Sequence, residues 1–533
     1  MRMMLLAQGA LISNFSSVDW LIVAAYLLGT LVVGLFVNRY IKNMGDFLVA
    51  GRSLKTNIGI ATMIGSELGL VTAMYSAQKG FTGGFAAFHI GLLAGIACLL
   101  VGFSGFIVVP LRKMGVMTIP EFYEKRFKSR SIRIFGGFLL AGSGILNMGL
   151  FLKAGAIFVT GLTGMTDPNA INLVMTTMIL LVLVYTTLGG MVSVVITDYV
   201  QFVVLSIGLL LSCVLAVNLL GWENIVTTMS SERGIAGFDP FDGAEFGGSY
   251  VAWMFFMGVI SCAVWQTSVM RACAAESVQV VRRLYIWSSL GFVVRNMIPQ
   301  FLGICALVYF ANNAELRAAF IDLSPDDAAN ASLSAAPVFL SQLLPVGVIG
   351  LVGAGMLAAF MSTHDTYLLC WASVLTQDVI DPATDHRLSD RTRILVTRIL
   401  LFVIAAFLLI WSMWYPLGQD MWDYMAISGA IYFTGAFVVL TAGIYSKRAS
   451  RAGAWLALLA GLGAVAGLGV VQDGLHLPQL VKSLGPSFTF LLNDKELVRS
   501  HYIGLAAIAA AVIVMIVASL LLPDREDTTH TAA

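Results

Sequence analysis

Charged residues are scarce in this sequence. Only 11% of the 533 residues are Asp, Glu, Lys or Arg, whereas 58% are hydrophobic, and the mean hydropathy is +0.87. Soluble domains carry about 25% charged residues, so this composition excludes a soluble multidomain protein. The formal net charge of +1 gives no hint of a nucleic-acid partner. The sequence therefore predicts an integral membrane protein in contact with a lipid bilayer.

Motifs of enzymes and metal centres are also absent. The six cysteines lie in or beside apolar stretches without CxxC spacing, which predicts core residues and not disulfides or a zinc site. The sequence lacks HExxH, G-x-S-x-G and Walker-type loops. One enzyme alternative is an acid/base pair of His364 and Asp365. Adjacent helical residues do not face each other, so that dyad is geometrically poor, and we expect no enzyme.

Long apolar runs are abundant instead. Segments of about 20 residues suffice to cross a bilayer, and the sequence predicts thirteen all-α spans in one membrane domain over residues 1–533. Their approximate ranges are 19–38, 54–78, 84–111, 133–161, 170–189, 192–219, 249–273, 284–311, 346–379, 390–413, 422–444, 452–472 and 502–522. The junction at 189–192 allows one span or two.

Basic residues indicate the orientation of these spans. Loops on one side carry dense Lys and Arg runs, at 112–133 and 387–398, whereas two long loops on the other side, about 220–248 and 312–336, are acidic. Positively charged loops remain in the cytoplasm. The sequence thus predicts a multi-pass cell-membrane protein with its N-terminus outside and its C-terminus in the cytoplasm.

The ninth predicted span carries an unusual polar cluster. Ser362, Thr363, His364, Asp365 and Thr366 lie in the middle of the apolar run 346–380. Hydroxyl-bearing residues recur there at helical spacing, which forms one polar face. Oxygen donors on one face suit a hard cation, although such hydroxyls also bond back to their own helix. An aspartate at mid-depth costs roughly 3 kcal/mol, so a cation, a basic side chain or a proton must offset it.

Two spans contain helix-breaking features. The second has Gly59, Gly65 and Gly69 around Glu67, and the seventh has the polar run Trp265-Gln266-Thr267. Broken helices at mid-depth are how secondary transporters expose backbone carbonyls to ions. Two interrupted spans five helices apart are what an inverted repeat produces, although a hinge or close glycine packing is an alternative for the second span.

Four motifs resemble the sodium/solute symporter family. They are DFLVAGRSL at 46–54, TIPEFYEKRF at 118–127, YTTLGGMVSVVITDYVQ at 185–201 and AAFMSTHDTYLLCWASVLTQDVI at 358–380. The resemblance extends over roughly residues 20–445. It implies the leucine-transporter-type fold, with inverted halves at about 54–219 and 249–444 and peripheral helices at about 19–38, 452–472 and 502–522.

The resemblance also implies ion sites. The family's main sodium site uses backbone carbonyls of the broken second span and a carbonyl and hydroxyls of the ninth, and the matching positions here are Ala61, Ile64, Ala359, Ser362 and Thr363. Some members hold a second sodium, and the matching positions are Asp198, Asp365 and Thr366. Those members have Ser where this chain has Asp365, so a proton, or an ion pair with Lys153 or His364, is the alternative to that second ion.

The solute side departs from the sugar carriers of the family. This chain has Met63 and the run Val259-Ile260-Ser261-Cys262 where those carriers place polar and aromatic residues, so a sugar would find few partners. The polar candidates that remain for the solute are Glu67, His89, Trp265, Gln266 and Arg295. A buried guanidinium suits a carboxylate, which favours a small carboxylate or amino acid. Alternatively, Arg295 pairs with Glu67 or Asp365, or extends to the membrane surface.

These expectations combine into a sodium-coupled symporter that imports a small organic solute by alternating access, with Na⁺ as the coupling ion. A proton-coupled carrier of the same fold is the nearest alternative, motivated by Asp198 and Asp365. A membrane sensor built on a transporter scaffold is an alternative from a different functional class.

Overall fold

The protein is almost entirely helical. The computed structural model describes residues 13–37, 54–65, 67–167, 169–243, 245–385, 387–415, 420–481, 485, 489–492 and 495–524; the side chains of residues 187–202 and of a few other helical positions lie outside this description. The first half of the chain contains α1 (Ser17–Val37), α2 (Thr56–Gly65), α3 (Leu70–Gly83), α4 (Phe88–Ser104), α5 (Val108–Met114), α6 (Ile119–Phe127), α7 (Arg130–Asn147), α8 (Phe151–Thr163), α9 (Ala170–Leu220) and α10 (Trp222–Arg233).

The second half continues the same pattern and adds one small hairpin. Its helices are α11 (Gly248–Val264), α12 (Gln266–Ala274), α13 (Val278–Ala311), α14 (Ala314–Phe320), α15 (Pro325–Leu343), α16 (Val348–Val374), α17 (Asp381–Ala383), α18 (Asp390–Trp414), α19 (Met421–Tyr445), α20 (Arg451–Gly461), α21 (Gly469–Leu475), α22 (Leu477–Val481) and α23 (Ser500–Leu521). Strands β1 (Thr489–Leu492) and β2 (Lys495–Val498) pair antiparallel before α23.

Many of these helices are long and apolar enough to cross a bilayer. Within the described ranges eight helical stretches meet that condition, and the pair α11 and α12, bent by 43° at Trp265, makes a ninth. Four shorter apolar helices lie at Ser17–Gly29, Ala170–Val184, Ala331–Leu343 and Arg451–Gly467. The multi-pass architecture is therefore confirmed, whereas the count of thirteen spans stays a prediction.

Helices α3 and α4 both pack against α13. Gly84 lies at the junction of α3 and α4, and its φ of 61° is a conformation that favours glycine. Gly80 and Gly303 allow the backbones of α3 and α13 to touch, because a Cβ on either glycine would overlap a carbonyl oxygen of the other helix. Small residues at helix contacts are a common device in membrane bundles, where close packing stabilises association.

Residues 170–220 form one helical run where the sequence predicts two spans. A straight helix of 51 residues would be roughly 76 Å long, well beyond a hydrocarbon core of about 30 Å. Both parts of the run pack on α16, since Met178 lines a cavity with Phe360 and Leu205 lies beside Gly355. Such placement agrees with two crossings joined without a loop.

An aspartate on the first helix anchors the start of α16. The carboxylate of Asp19 accepts hydrogen bonds from the backbone amides of Gly347 (2.8 Å) and Gly350 (2.9 Å). The first amides of a helix have no partner within it, so a buried carboxylate both pairs them and complements the helix dipole. The peripheral helix α1 thereby fixes the position of α16. This helix carries the polar face predicted from the sequence, Ala359, Ser362, Thr363 and Thr366, which we call the polar stripe.

The α3–α13 contact predicts the effect of one added methyl group. Gly303→Ala would press on the Ala77 carbonyl, and we expect it to destabilise the protein by about 1–3 kcal/mol through overpacking. The matched control is Gly142→Ala in α7, where nothing lies within 4 Å of the new Cβ. Thermal unfolding in detergent measures both; equal midpoints for the two variants would contradict this packing.

Candidate functional site

The second predicted span is broken, as its glycines indicate. Helix α2 ends at Gly65 and α3 begins at Leu70, with Gly69 extended before it. Within the break the carbonyl oxygen of Ile64 accepts the amides of Glu67 (3.2 Å) and Leu68 (2.8 Å). Backbone groups at the break that these bonds leave unpaired need partners other than a regular helix.

The polar stripe of α16 packs directly on this break. A Cβ on Gly69 would overlap the hydroxyl oxygen of Thr363 and would lie 3.7 Å from the carbonyl oxygen of Ala359. The Thr363 hydroxyl donates to that same carbonyl at 2.9 Å. Ala359, Ser362 and Thr363 are at most 5% exposed, and so are nearly removed from solvent. Ala61 and Ile64 on α2 are also buried, at 7% and 6% exposed.

Such an arrangement offers oxygen atoms and little else to an ion. No group of three or more His, Cys, Asp or Glu side chains in the described part of the chain could hold a metal, so the stripe differs from a zinc or iron site. Carbonyl and hydroxyl oxygens suit hard cations. The chemistry of this region is therefore compatible with the cation site predicted from the sequence.

Two of the three residues predicted for a second cation lie further along α16. Asp365 is fully buried and Thr366 is 4% exposed. Asp198 falls in α9, among the side chains outside the described ones. Lys153 donates its ammonium proton to the carbonyl oxygen of Tyr415, and the His364 ring bonds the Phe360 carbonyl at 3.0 Å. Those two basic groups thus have backbone partners.

A cavity of about 170 Å³ adjoins the break and the stripe. Its floor is an aromatic cluster in which Trp265 contacts Tyr367, Trp371 and Phe433 at ring distances of 5.2 to 5.4 Å. Its walls are mostly apolar and include Val71, Ile90, Phe151, Met254, Met257, Cys262, Phe292 and Met425. A larger space of about 810 Å³ between α1 and α9 is lined mainly by apolar side chains and lies away from both helix breaks.

One ion pair supplies the charge in this cavity. An Nη of Arg295 on α13 lies 3.1 Å from Oε2 of Glu67, and both side chains are 11% exposed. Oε1 of Glu67 accepts the indole N–H of Trp265 at 3.0 Å and the hydroxyl of Thr267 at 3.2 Å. Glu67 comes from the break in the second span and its two neutral donors from the break in the seventh, so one carboxylate joins both breaks.

Three of the five predicted solute residues line this cavity, namely Glu67, Trp265 and Arg295. The other two lie elsewhere. His89 bonds the carbonyl of Ala86 at 2.7 Å and packs on Phe246. Gln266 is buried and accepts the amide of Ile119 at 3.2 Å, which satisfies the start of α6. These contacts give His89 and Gln266 structural partners outside the cavity.

Several cavity residues were not anticipated from the sequence. Tyr75, Asn147, Tyr367 and Trp422 all line it, and Tyr75 and Trp422 meet edge to face with ring centroids 4.7 Å apart. Polar or aromatic residues at helical spacing from Glu67 would have indicated Tyr75, which lies eight residues further along. The others come from helices distant in sequence, so no local pattern identifies them.

The buried ion pair predicts strong energetic coupling between its two members. Glu67→Gln or Arg295→Gln alone should cost about 3–5 kcal/mol, because each leaves an uncompensated buried charge, and the double variant should cost clearly less than the sum. Thermal unfolding without solute measures this cycle. The control is Arg317→Gln at the more exposed Arg317–Glu232 pair, with an expected cost of about 1 kcal/mol or less. Additive effects at Glu67 and Arg295 would contradict the coupling.

Comparison with known structures identifies the fold. A substrate-bound, outward-open Na⁺-coupled sialic acid symporter aligns with a TM-score of 0.74 at 20% identity, covering 95% of this chain and 98% of that one. The transporter MhsT, solved with L-phenylalanine, aligns with a TM-score of 0.50 at 14% identity, covering 88% and 98%. The expected leucine-transporter-type fold is confirmed.

Sequence comparison identifies the family. The chain is 26% identical over 480 residues to the sodium/glucose cotransporter of Vibrio parahaemolyticus, covering 84% of each protein. It is 25% identical over 471 residues to the sodium/sialic acid symporter NanT of Aliivibrio fischeri, covering 85% of this chain and 88% of that protein. A model of the sodium:solute symporter family matches residues 47–461. The protein is therefore a membrane transporter and not an enzyme, and it belongs to the sodium:solute symporter family.

Proposed function

We propose that the protein carries out the sodium-coupled solute import of its family through two adjoining sites that share the break in the second span. The observation that carries this proposal is the position of the break itself. Gly69 lies against Thr363 and Ala359 on one side, and Glu67, two residues earlier, lines the cavity on the other. A change in the conformation of one short segment would therefore reach both sites.

In this proposal sodium binds the carbonyl oxygens of Ala61, Ile64 and Ala359 and the hydroxyls of Ser362 and Thr363. Five oxygens from two helices suit a dehydrated hard cation. Burial supports the assignment, because polar groups away from water must find partners within the protein or an ion. A second cation or proton site at Asp198, Asp365 and Thr366 is part of the same proposal.

Sodium binding and solute binding are then coupled because sodium orders the break in the second span. Sodium bound between α2 and α16 would fix the segment that holds Glu67, and so would complete the solute cavity. The ion gradient drives import, since one charge moving inward gains roughly 2.3 kcal/mol per 100 mV. Residues of about 54–219 and 249–444 would act as the two inverted halves. The basic loops favour an N-terminus outside and a C-terminus inside.

The cavity favours a small solute with a carboxylate, such as an amino acid. Arg295 can offer a planar pair of donors to a carboxylate, and Glu67 can receive an ammonium group in exchange for its arginine. A cavity of about 170 Å³ is near the size that holds one benzene molecule, so the solute has few heavy atoms in this state of the protein. The apolar walls offer few partners to several hydroxyls.

Removal of the two hydroxyls tests the sodium site. Ser362→Ala and Thr363→Ala should each raise the sodium concentration for half-maximal uptake roughly tenfold, because a lost hydrogen-bonding partner of a charged group costs about 1.5–3 kcal/mol. The control is Ser373→Ala, a buried hydroxyl on the same helix and away from the break. Uptake into proteoliposomes at varied sodium concentration measures the effect. Unchanged sodium dependence in both variants would contradict the proposed sodium site.

Substitution of Arg295 tests the class of solute. Arg295→Gln should abolish stabilisation of the protein by carboxylate-bearing solutes, and Arg295→Lys should retain a weak response because a point charge replaces the fork. The control is Arg282→Gln on the same helix, whose guanidinium bonds the Phe103 carbonyl. Thermal shift assays with matched amino acids, carboxylates, amines and polyols measure this. A polyol response that persists in Arg295→Gln would contradict a carboxylate site.

A further inference from the structure

A buried lysine lies directly beyond the solute cavity. Lys79 follows Tyr75 by one turn of α3, and its ammonium is 3.3 Å from Asp420 and 3.7 Å from Asp423 at the start of α19. The lysine side chain is 5% exposed, whereas the two carboxylates are 20% and 27% exposed. The cation therefore lies on the protein side of the pair and the anions lie nearer to solvent.

Helices α3, α11 and α19 form two successive layers over the cavity. The inner layer, which we call the roof, consists of Tyr75 of α3, Met254 of α11 and Trp422 of α19. Tyr75 and Trp422 meet edge to face, and the Trp422 indole donates to the sulfur of Met254 at 3.2 Å. Each of these residues lines the cavity.

The outer layer repeats this contact with polar groups. Lys79 of α3 lies over the ring of Tyr250 of α11 at 5.3 Å, and the Tyr250 hydroxyl donates to Asp423 of α19 at 3.2 Å. Gln78 accepts the amide of Met421 at 3.2 Å, one of the free amides at the start of α19. Two consecutive residues of α3 thus hold the first turn of α19.

We propose that Lys79 is a positioning residue for transport. By pairing with Asp420 and Asp423, it holds the first turn of α19 over the cavity and so keeps the roof closed. Because Lys79 is buried beside two carboxylates, separating α3 from α19 costs more free energy than breaking an exposed ion pair. Loss of the lysine therefore shifts the equilibrium between the closed and open roof toward the open state. The closed roof is a barrier to the cavity; its role as a solute gate rests on the proposed function, in which the cavity binds the solute.

Cys262 provides a built-in reporter of this barrier. It lines the cavity below the roof and is 6% exposed. A membrane-impermeant thiol reagent reaches it from the Lys79 side only when the roof opens. Peptide mass spectrometry measures the label at Cys262 in the full-length protein in vesicles, so the other cysteines remain in place. Neither sodium nor solute is added, so the result is independent of both proposed binding sites.

We expect Lys79→Gln to increase the rate of Cys262 labelling about tenfold, which corresponds to about 1.4 kcal/mol in the closing equilibrium. Trp422→Ala, which opens the roof directly, should increase it as well. The exchanged pair Lys79→Asp with Asp420→Lys should return the rate toward that of the parent. The control is Lys153→Gln, a half-buried lysine of α8 whose ammonium bonds the Tyr415 carbonyl; its labelling rate should not change.

Parental labelling of Lys79→Gln alongside fast labelling of Trp422→Ala would overturn the role of Lys79. If Lys79→Gln does not fold, Asp420→Asn with Asp423→Asn breaks the same contacts from α19, and parental labelling of that variant would overturn the proposal equally. If labelling increases here but the sodium or solute experiments fail, the role of Lys79 in closing the roof stands. The proposed sodium and solute sites are then wrong.

Discussion

The hydrocarbon interior of the bilayer leaves no water for an interrupted helix, and this constraint governs the centre of the protein. Glu67, Leu68 and Gly69 lie outside regular helix, so their backbone groups need partners from other helices or from an ion. The polar stripe of α16 lies against the break through Thr363 and Ala359. Glu67 extends from the break to Arg295, Trp265 and Thr267. One irregular segment thereby connects the stripe, the ion pair and the cavity.

Aromatic contacts border the cavity at two ends. Trp265, at the bend between α11 and α12, closes one end with Tyr367, Trp371 and Phe433. Tyr75 and Trp422 close the other end, where Lys79 joins α3 to α19. The rings come from α3, α16, α19 and the bend between α11 and α12, so closing either end depends on helix positions more than on local backbone.

Much of the fold could be predicted from the sequence because long apolar runs determine the spans; the predicted range 390–413 and the observed helix Asp390–Trp414 differ by one residue. The break at Glu67 was predictable from its glycines. The two ends of the cavity were not, since Tyr75 meets Trp422 at one end and Trp265 meets Trp371 at the other only through helix packing. Sequence also gave no sign that Gln266 pairs with the backbone of Ile119. Lys79 is typical of a charge at a span end, and only the tertiary structure reveals its burial.

The most direct test of the account is binding of a solute with each of two cations. Purified protein is heated with a panel of small amino acids and carboxylates, once in sodium and once in potassium, because a ligand that binds the native state raises its stability. The account predicts a compound that stabilises the parent protein in sodium but not in potassium, and that loses this effect in Thr363→Ala. Equal stabilisation in both salts, unchanged in Thr363→Ala, would contradict the shared break as the link between ion and solute.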